Sequence, residues 1–285
     1  MSTERKARER SWWRGLTSLF QPAMLPVLAW LLLLLVMVVA PGLLAPLPPS
    51  EMHAIDRLQG PSDAYLLGTD EYGRSLLSRV VYGGRLTLLI ALGSIALATV
   101  IGVPLGTLAG YYEGLLGTVI MRFQDSLLSI PGILLAILLV GSFGPSVLVL
   151  IITIAALYLP RFARLQYGSV LMIKERSFVE ASRACGAHDA WLLWRTILPN
   201  TIPPLIVQAT LGIAIAILIE AGLSYMGLGI QPPAATWGLM LKTSQTYVRL
   251  APHYVLIPGL FLFFSILSFN LLGDWLRDKL DPRAR

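Results

Sequence analysis

Residues 178–200 read FVEASRACGAHDAWLLWRTILPN, a charged segment that lies between two long apolar runs. Ser177 and Glu180 have the spacing of a capping box, in which the serine hydroxyl accepts a backbone N–H and the glutamate reaches back to the helix start. A short helix is therefore expected to begin at Ser177. Gly186 is suited to end it, because glycine adopts the left-handed backbone of a helix C-terminus without steric cost.

A second short helix is expected to follow, starting at His188 or Asp189 and ending at Pro199. It carries Trp191 and Trp194, and two interpretations of these aromatics stay open. They are suited to contact a protein partner, or to lie among lipid headgroups as interfacial anchors. Residues 178–200 thus predict a polar two-helix projection from an apolar body.

The composition indicates a membrane protein. Apolar residues make up 55% of the chain, charged residues 13%, and the mean hydropathy is +0.70, whereas soluble domains carry about 25% charged residues. A bilayer core of about 30 Å needs about 20 helical residues per crossing. Six apolar stretches meet that length: residues 24–44, 86–110, 116–140, 146–165, 204–224 and 254–273. We therefore expect an all-α protein with six transmembrane helices, some of them cut by Pro104, Pro131 or Pro258.

These stretches divide the chain into segments. The predicted segments are a basic cytoplasmic N-terminus (1–22), a retained transmembrane anchor (23–45), an external loop (46–85), a core domain (86–275) that contains a cytoplasmic loop at 166–203, and a cytoplasmic C-terminus (276–285). The first stretch is too long for a signal peptide, and Pro41 is a poor neighbour for cleavage.

The orientation follows from the basic residues. Of the 22 Lys and Arg, the segments assigned to the outside hold six: Arg57, Arg74, Arg79, Arg85, Lys242 and Arg249. The excess on the other side predicts that both termini are cytoplasmic. The pI of 9.6 is explained in this way without nucleic acid, for which no aromatic-interleaved basic stripe argues.

Signatures of enzymes and metal sites are scarce. Cys185 is a single cysteine, and three scattered histidines offer no metal-ligand spacing. None of the four lysines follows glycine as in a phosphate-binding loop, or lies three residues after a serine. The sequence therefore predicts no catalytic residue, no metal and no cofactor bound by this chain.

The segment of residues 178–200 resembles the cytoplasmic loop of the membrane subunits of ABC-type importers. That loop carries Glu-Ala-Ala, three residues, Gly, nine residues, and then Ile-x-Leu-Pro. The matching positions here are Glu180, Ala181, Ser182, Gly186, Leu198 and Pro199. Ser182 stands in the place of the second alanine, and Thr196 in the place of the isoleucine.

Three other stretches resemble the dipeptide/oligopeptide/nickel branch of these permeases, in its second-subunit type. They are LGTDEYGRSLLSRVVYG at 67–83, GLGIQPP at 227–233 with Trp237-Gly238, and the C-terminal residues 269–282. The resemblance runs from about residue 67 to residue 282. It implies a type I ABC importer transmembrane domain, with coupling helices between spans four and five, in a bacterial or archaeal inner membrane.

The resemblance also implies partners. These are a second homologous permease subunit, two cytoplasmic ATPases that bind ATP and Mg, an external solute-binding protein, and membrane lipid. The six matching loop residues would transmit ATPase movement to the transmembrane helices. Peptide is the expected cargo, and a nickel chelate, glutathione or an oligosaccharide are alternatives.

Several charged residues have two interpretations at this stage. Asp125 is expected to pair with Arg122, three residues earlier on one helix face. Glu220 lies deep in the fifth stretch, where it either lines the translocation path or is a buried structural carboxyl. Asp70, Arg74 and Arg79 either contact the binding protein or are solvated in the external loop. Two other function classes stay open, a proton-coupled secondary transporter using Asp125 and Glu220, and an intramembrane enzyme.

Gly102, Gly106 and Gly110 place a small residue at every fourth position of the second stretch. This spacing predicts close approach of another helix.

Overall fold

A computed structural model of the chain describes residues 24–280. These residues are helical and form no β-strand apart from an isolated bridge between Thr69 and Ser75. The helices are α1 (Leu25–Val39), α2 (Pro41–Leu44), α3 (Leu76–Tyr111), α4 (Leu115–Ser129), α5 (Gly132–Phe143), α6 (Val147–Lys174), α7 (Ser177–Ala184), α8 (Asp189–Trp191), α9 (Leu198–Tyr225), α10 (Trp237–Ser244) and α11 (Pro252–Leu280).

Within residues 24–280, four helical segments are long and apolar enough to cross a membrane. They are α3, α6, the continuous stretch Asp189–Tyr225, and α11. The bent pair of α4 and α5 makes a fifth when it is counted as one span. Helix α1 is apolar but has only 15 residues. The all-α membrane fold is thus confirmed, whereas the count of six spans stays a prediction.

The third predicted span, 116–140, is broken rather than straight. Ile130 has extended backbone angles, and the axes of α4 and α5 meet at 88°. Pro131 explains the break, because its ring pushes the preceding residue out of the helical region. By contrast, Pro104 and Pro258 lie inside continuous helices.

Two predicted segment boundaries fall inside helices. Helix α3 begins at Leu76, so the last ten residues of the loop predicted at 46–85 are helical. The side chain of Ser75 caps the first turn by accepting from the N–H of Ser78. Helix α11 continues past the boundary at residue 275 to Leu280. Helix α6 likewise extends to Lys174, into the segment predicted at 166–203, and the membrane boundaries of these segments stay a prediction.

Helices α3 and α6 are in backbone contact along the glycine row. A Cβ atom at Gly106 would lie 2.2 Å from the carbonyl oxygen of Ala163, and one at Gly102 would lie 2.8 Å from that of Leu159. At Gly110 it would lie 2.9 Å from the Cβ of Val170. The prediction of close helix approach is confirmed, and we call this contact the glycine seam.

A buried glutamine joins the seam to α9. Gln166 donates from Nε2 to Oγ1 of Thr107 at 2.8 Å and to Oγ1 of Thr201 at 3.0 Å. These bonds connect the C-terminal part of α3, the C-terminal half of α6 and the N-terminal part of α9. In an apolar interior such polar contacts specify one relative position of the helices.

Gly106→Ala is expected to destabilise the protein, because the new methyl group would overlap the Ala163 carbonyl. Overpacking of this kind costs about 1–3 kcal/mol. Gly168→Ala is the matched control, since a Cβ at that position of α6 meets nothing within 4 Å. Thermal unfolding in detergent, followed by tryptophan fluorescence, measures both. Equal melting temperatures for the two variants would show that the seam does not limit stability.

Candidate functional site

The residues between α6 and α9 form the polar projection that the sequence predicts. Helix α7 starts at Ser177 and ends before Gly186, whose φ of +84° is the left-handed value that favours glycine. His188 then caps α8, where its Nδ1 accepts from the backbone N–H of Trp191 at 3.0 Å. We call residues 177–197 the handle.

The predicted capping box is wrong. The N-cap position belongs to Arg176, and no side chain caps α7. The N–H groups of Val179 and Glu180 donate to the Arg176 carbonyl at 2.9 and 3.2 Å, so Ser177 already lies within the helix. The Glu180 side chain is thereby left exposed on the handle surface.

The predicted stop at Pro199 is also wrong. Residues Leu192–Ile197 form a π-helical turn that leads directly into α9, and the N–H of Leu198 donates to the carbonyl of Leu193, five residues back. A widened turn leaves room for the proline ring, which clashes with the preceding turn of a regular α-helix. The second half of the handle is therefore continuous with α9.

The handle is held by apolar and polar contacts to the C-terminal ends of α3 and α6. Val179, Leu192 and Ile197 are buried. The Tyr111 hydroxyl, at the end of α3, donates to Oδ1 of Asp189 at 2.5 Å. Sequence reasoning missed this pair, because Tyr111 has no motif and its partner is 78 residues away.

The outward face of the handle is apolar and open. Phe178, Trp191 and Trp194 are 44%, 45% and 68% exposed. A cavity of about 560 Å³ lies beside α7 and α8 and is lined by Ala181, Ser182, Cys185, Gly186, Ala187, His188 and Trp191. Of the six loop positions predicted to couple, three lie on this cavity, while Leu198 and Pro199 form the start of α9.

The external residues Asp70, Arg74 and Arg79 are buried, so the expectation that they are solvated in an open loop is wrong. Arg74 Nε donates to Oδ2 of Asp70 at 2.6 Å, and Arg79 Nε lies 3.1 Å from the same oxygen. Glu71 bonds Arg74 through Oε1 and accepts from the Tyr254 hydroxyl through Oε2. These five residues, which we call the outer ionic cluster, join the loop to α3 and α11.

Gly73 explains why the loop folds back on itself. Its φ is +74°, and a Cβ there would lie 1.8 Å from the carbonyl oxygen of His53. Only glycine permits this approach. The turn aims the Asp70 carboxylate at the backbone N–H groups of Tyr72 and Arg74, each 2.9 Å from Oδ1.

Glu220 is completely buried near the outer end of α9. Its Oε1 accepts from the hydroxyl of Ser224 at 2.7 Å, whereas Oε2 has no hydrogen-bond partner among the described residues. It lies inside the helix bundle in this structure, and its role on the translocation path stays a prediction.

The predicted pair between Asp125 and Arg122 is wrong. Asp125 instead accepts from Arg164 of α6 at 2.7 Å, and both side chains are about half exposed. A partner on a neighbouring helix replaces the local one because α4 packs alongside α6.

Comparison with known proteins gives three concordant findings. The family described as binding-protein-dependent transport system inner membrane component matches residues 102–285. The glutathione transport system permease protein GsiD of Pectobacterium atrosepticum is 39% identical over 279 residues, which cover 97% of this chain and 93% of that protein. The di/tripeptide transport system permease protein DppC of Pseudomonas aeruginosa is 44% identical over 228 residues, covering 80% and 75%.

A solved structure supports the fold. The inward-facing MetNI methionine ABC transporter contains a chain that matches with a TM-score of 0.58 at 20% identity, covering 71% of this chain and 96% of that one. This similarity shows the fold of a type I importer permease.

Asp70→Asn is expected to destabilise the outer ionic cluster, because two buried arginines lose their shared anion. Removing one partner of a buried ion pair costs about 3–5 kcal/mol. Asp63→Asn, at an exposed position of the same loop, is the matched control. Thermal unfolding in detergent measures both, and an unchanged melting temperature for Asp70→Asn would contradict a stabilising role.

Glu220→Gln is expected to be tolerated, and Glu220→Lys is not. An amide oxygen still accepts from Ser224, whereas an ammonium group would be buried without an anion. The yield of folded protein from membranes and its transport rate measure the difference, with the exposed Glu51→Lys as control. Equal behaviour of the Gln and Lys variants would exclude any electrostatic role for this carboxyl.

Proposed function

Because the chain belongs to the family of binding-protein-dependent transport system inner membrane components, we propose that it is the permease subunit of an ATP-driven importer of di- or oligopeptides. The observation that carries the proposal is the handle, a two-helix projection with exposed aromatic side chains that is continuous with membrane helix α9. Relatives named for dipeptide, di/tripeptide and glutathione transport support the cargo. Glutathione, itself a tripeptide, is the second candidate.

The proposed partners follow from the exposed surfaces. A second homologous permease subunit completes the path, and two ATPases carry ATP and Mg. The aromatic face of the handle suits an ATPase groove, because Phe178, Trp191 and Trp194 expose large apolar area beside the polar Glu180. When the ATPases close on ATP, they would shift the permease from one conformation to another only if they bind one of the two conformations more tightly.

The handle also explains how movement would reach the bundle. A displacement of α8 passes through the π-helical turn into α9 without an intervening flexible loop. Gln166 links α9 to α6 and α3. Coupling would thus shift whole helices, and the six loop residues named above are its proposed site.

At the opposite surface we assign the contact with the binding protein to the external loop. Asp70, Arg74 and Arg79 act there indirectly, by fixing the loop from within. The exposed apolar side chains Ile55, Leu66 and Tyr72 provide the contact area. This orientation places both termini in the cytoplasm, in agreement with the distribution of Lys and Arg.

The test is ATP-driven uptake of a labelled dipeptide by the assembled complex in lipid vesicles with its binding protein. Gly186→Val is expected to lower uptake at least about tenfold and to weaken ATPase co-purification, because valine in a left-handed conformation costs about 1–2 kcal/mol and would distort the handle surface.

Gly114→Val is the matched control. Gly114 has a φ of +76°, a Cβ there also meets nothing within 4 Å, and it lies outside the handle. Similar uptake by both variants would exclude the handle as the coupling element. Uptake by the isolated chain, without ATP and driven by a proton gradient, would instead establish a secondary transporter.

A further inference from the structure

A cavity lies between the bend of the third span and helices α6 and α9. Its volume is about 370 Å³, which suits a small peptide. The lining combines residues 127–133 at the α4–α5 bend, residues 156–161 of α6 and residues 219–226 of α9. The bend itself creates the space, because α5 turns away from α4 at 88°.

The wall of this cavity is apolar except at one place. Among the described residues that line it, Tyr158 and Arg161 alone carry polar side chains. They lie three residues apart on one face of α6. The Arg161 guanidinium carbon lies 4.7 Å from the centre of the Tyr158 ring, and Nη1 donates to the tyrosine hydroxyl oxygen at 3.1 Å.

The position of Arg161 is unusual for a charged residue. It is the fifteenth of the 28 residues of α6, so about 20 Å of helix extends on either side of it. It lies within the fourth predicted span, 146–165, and its side chain is exposed in this chain. Ionisable groups at membrane depth normally face a cavity and meet a partner of opposite charge.

No carboxylate of this chain provides that partner within residues 24–280. The ion pairs of the described residues do not include Arg161, and the nearby Asp125 is occupied by Arg164. The other N–H groups of Arg161 are available, since guanidinium has five and one bonds Tyr158. The Tyr158 oxygen accepts this bond, which leaves its own proton free to donate.

From this geometry we infer that Arg161 and Tyr158 form a subsite for the terminal carboxylate of the cargo. The guanidinium fork matches a carboxylate in shape and charge, and the tyrosine hydroxyl donates a further hydrogen bond. The apolar wall receives the remainder of the peptide. The inference rests on the proposed function, because every linear peptide, glutathione included, carries this group whatever its side chains.

The test uses a photoreactive dipeptide, alanyl-p-benzoylphenylalanine, and its C-terminal amide as the probe without a carboxylate. Each is added at millimolar concentration to the complete complex in nanodiscs and irradiated, and the labelled residues are identified by mass spectrometry. The variants are Arg161→Gln, Arg161→Lys and the matched control Arg164→Gln, which removes an arginine one turn away that does not line the cavity.

Free dipeptide is expected to label the cavity wall of the wild type and of Arg164→Gln equally. Labelling falls about tenfold or more in Arg161→Gln, as expected for the loss of a charged hydrogen bond, and is partly retained in Arg161→Lys. The amide labels the wild type as weakly as the free dipeptide labels Arg161→Gln. Absence of wall labelling in the wild type, or equal labelling by the two probes, would overturn the inference.

A structural role for Arg161 has a separate signature. If the guanidinium pairs with an acidic residue of the second permease subunit, Arg161→Gln lowers co-purification of that subunit and reduces labelling by both probes alike, which overturns the subsite. Dipeptide uptake by the same complexes separates the two proposals. If dipeptide uptake is normal and does not change when Arg161 is substituted, the subsite alone is rejected. If labelling depends on the carboxylate but no uptake occurs, the peptide importer alone is rejected.

Discussion

The backbone contact between α3 and α6 is the constraint on which the rest of the structure depends. Lipid tails are as apolar as leucine, so two membrane helices gain little from hydrophobic burial and associate mainly through close packing and polar contacts. The glycine seam allows the backbones to touch at three successive turns. Helix α3 is thereby fixed, and the other elements are positioned against it.

Helix α3 carries a polar contact at each level of the bundle. Arg79 belongs to the outer ionic cluster, and Thr87 faces the backbone N–H of Trp237 at 3.4 Å. Thr107 accepts from Gln166, and Tyr111 bonds the handle. One helix thus connects the outer ionic cluster to the handle. The handle is joined to α3 by the Tyr111 bond, and helix α9, which continues from the handle, takes no part in the seam.

The sequence predicted the features that depend on local chemistry. The apolar runs, the glycine seam and the left-handed turn at Gly186 all follow from residue type and spacing. The features it missed depend on tertiary packing. Nothing local indicates that Asp125 pairs with α6, that the outer charges are buried by α11, or that a π-helical turn carries the chain through Pro199. The helices of the handle could therefore be predicted from sequence, whereas their tertiary contacts could not, and the coupling role of the six loop residues stays a prediction.

The bend of the third span and Arg161 of α6 border the same cavity. The break at Pro131 sets α5 at 88° to α4 and places residues 127–133 on the wall of the cavity that Arg161 also lines. The outer cluster is the opposite case, since its two buried arginines are matched by Asp70 and Glu71. The buried arginines of the outer ionic cluster are thus paired within the chain, whereas Arg161 has no acidic partner among residues 24–280.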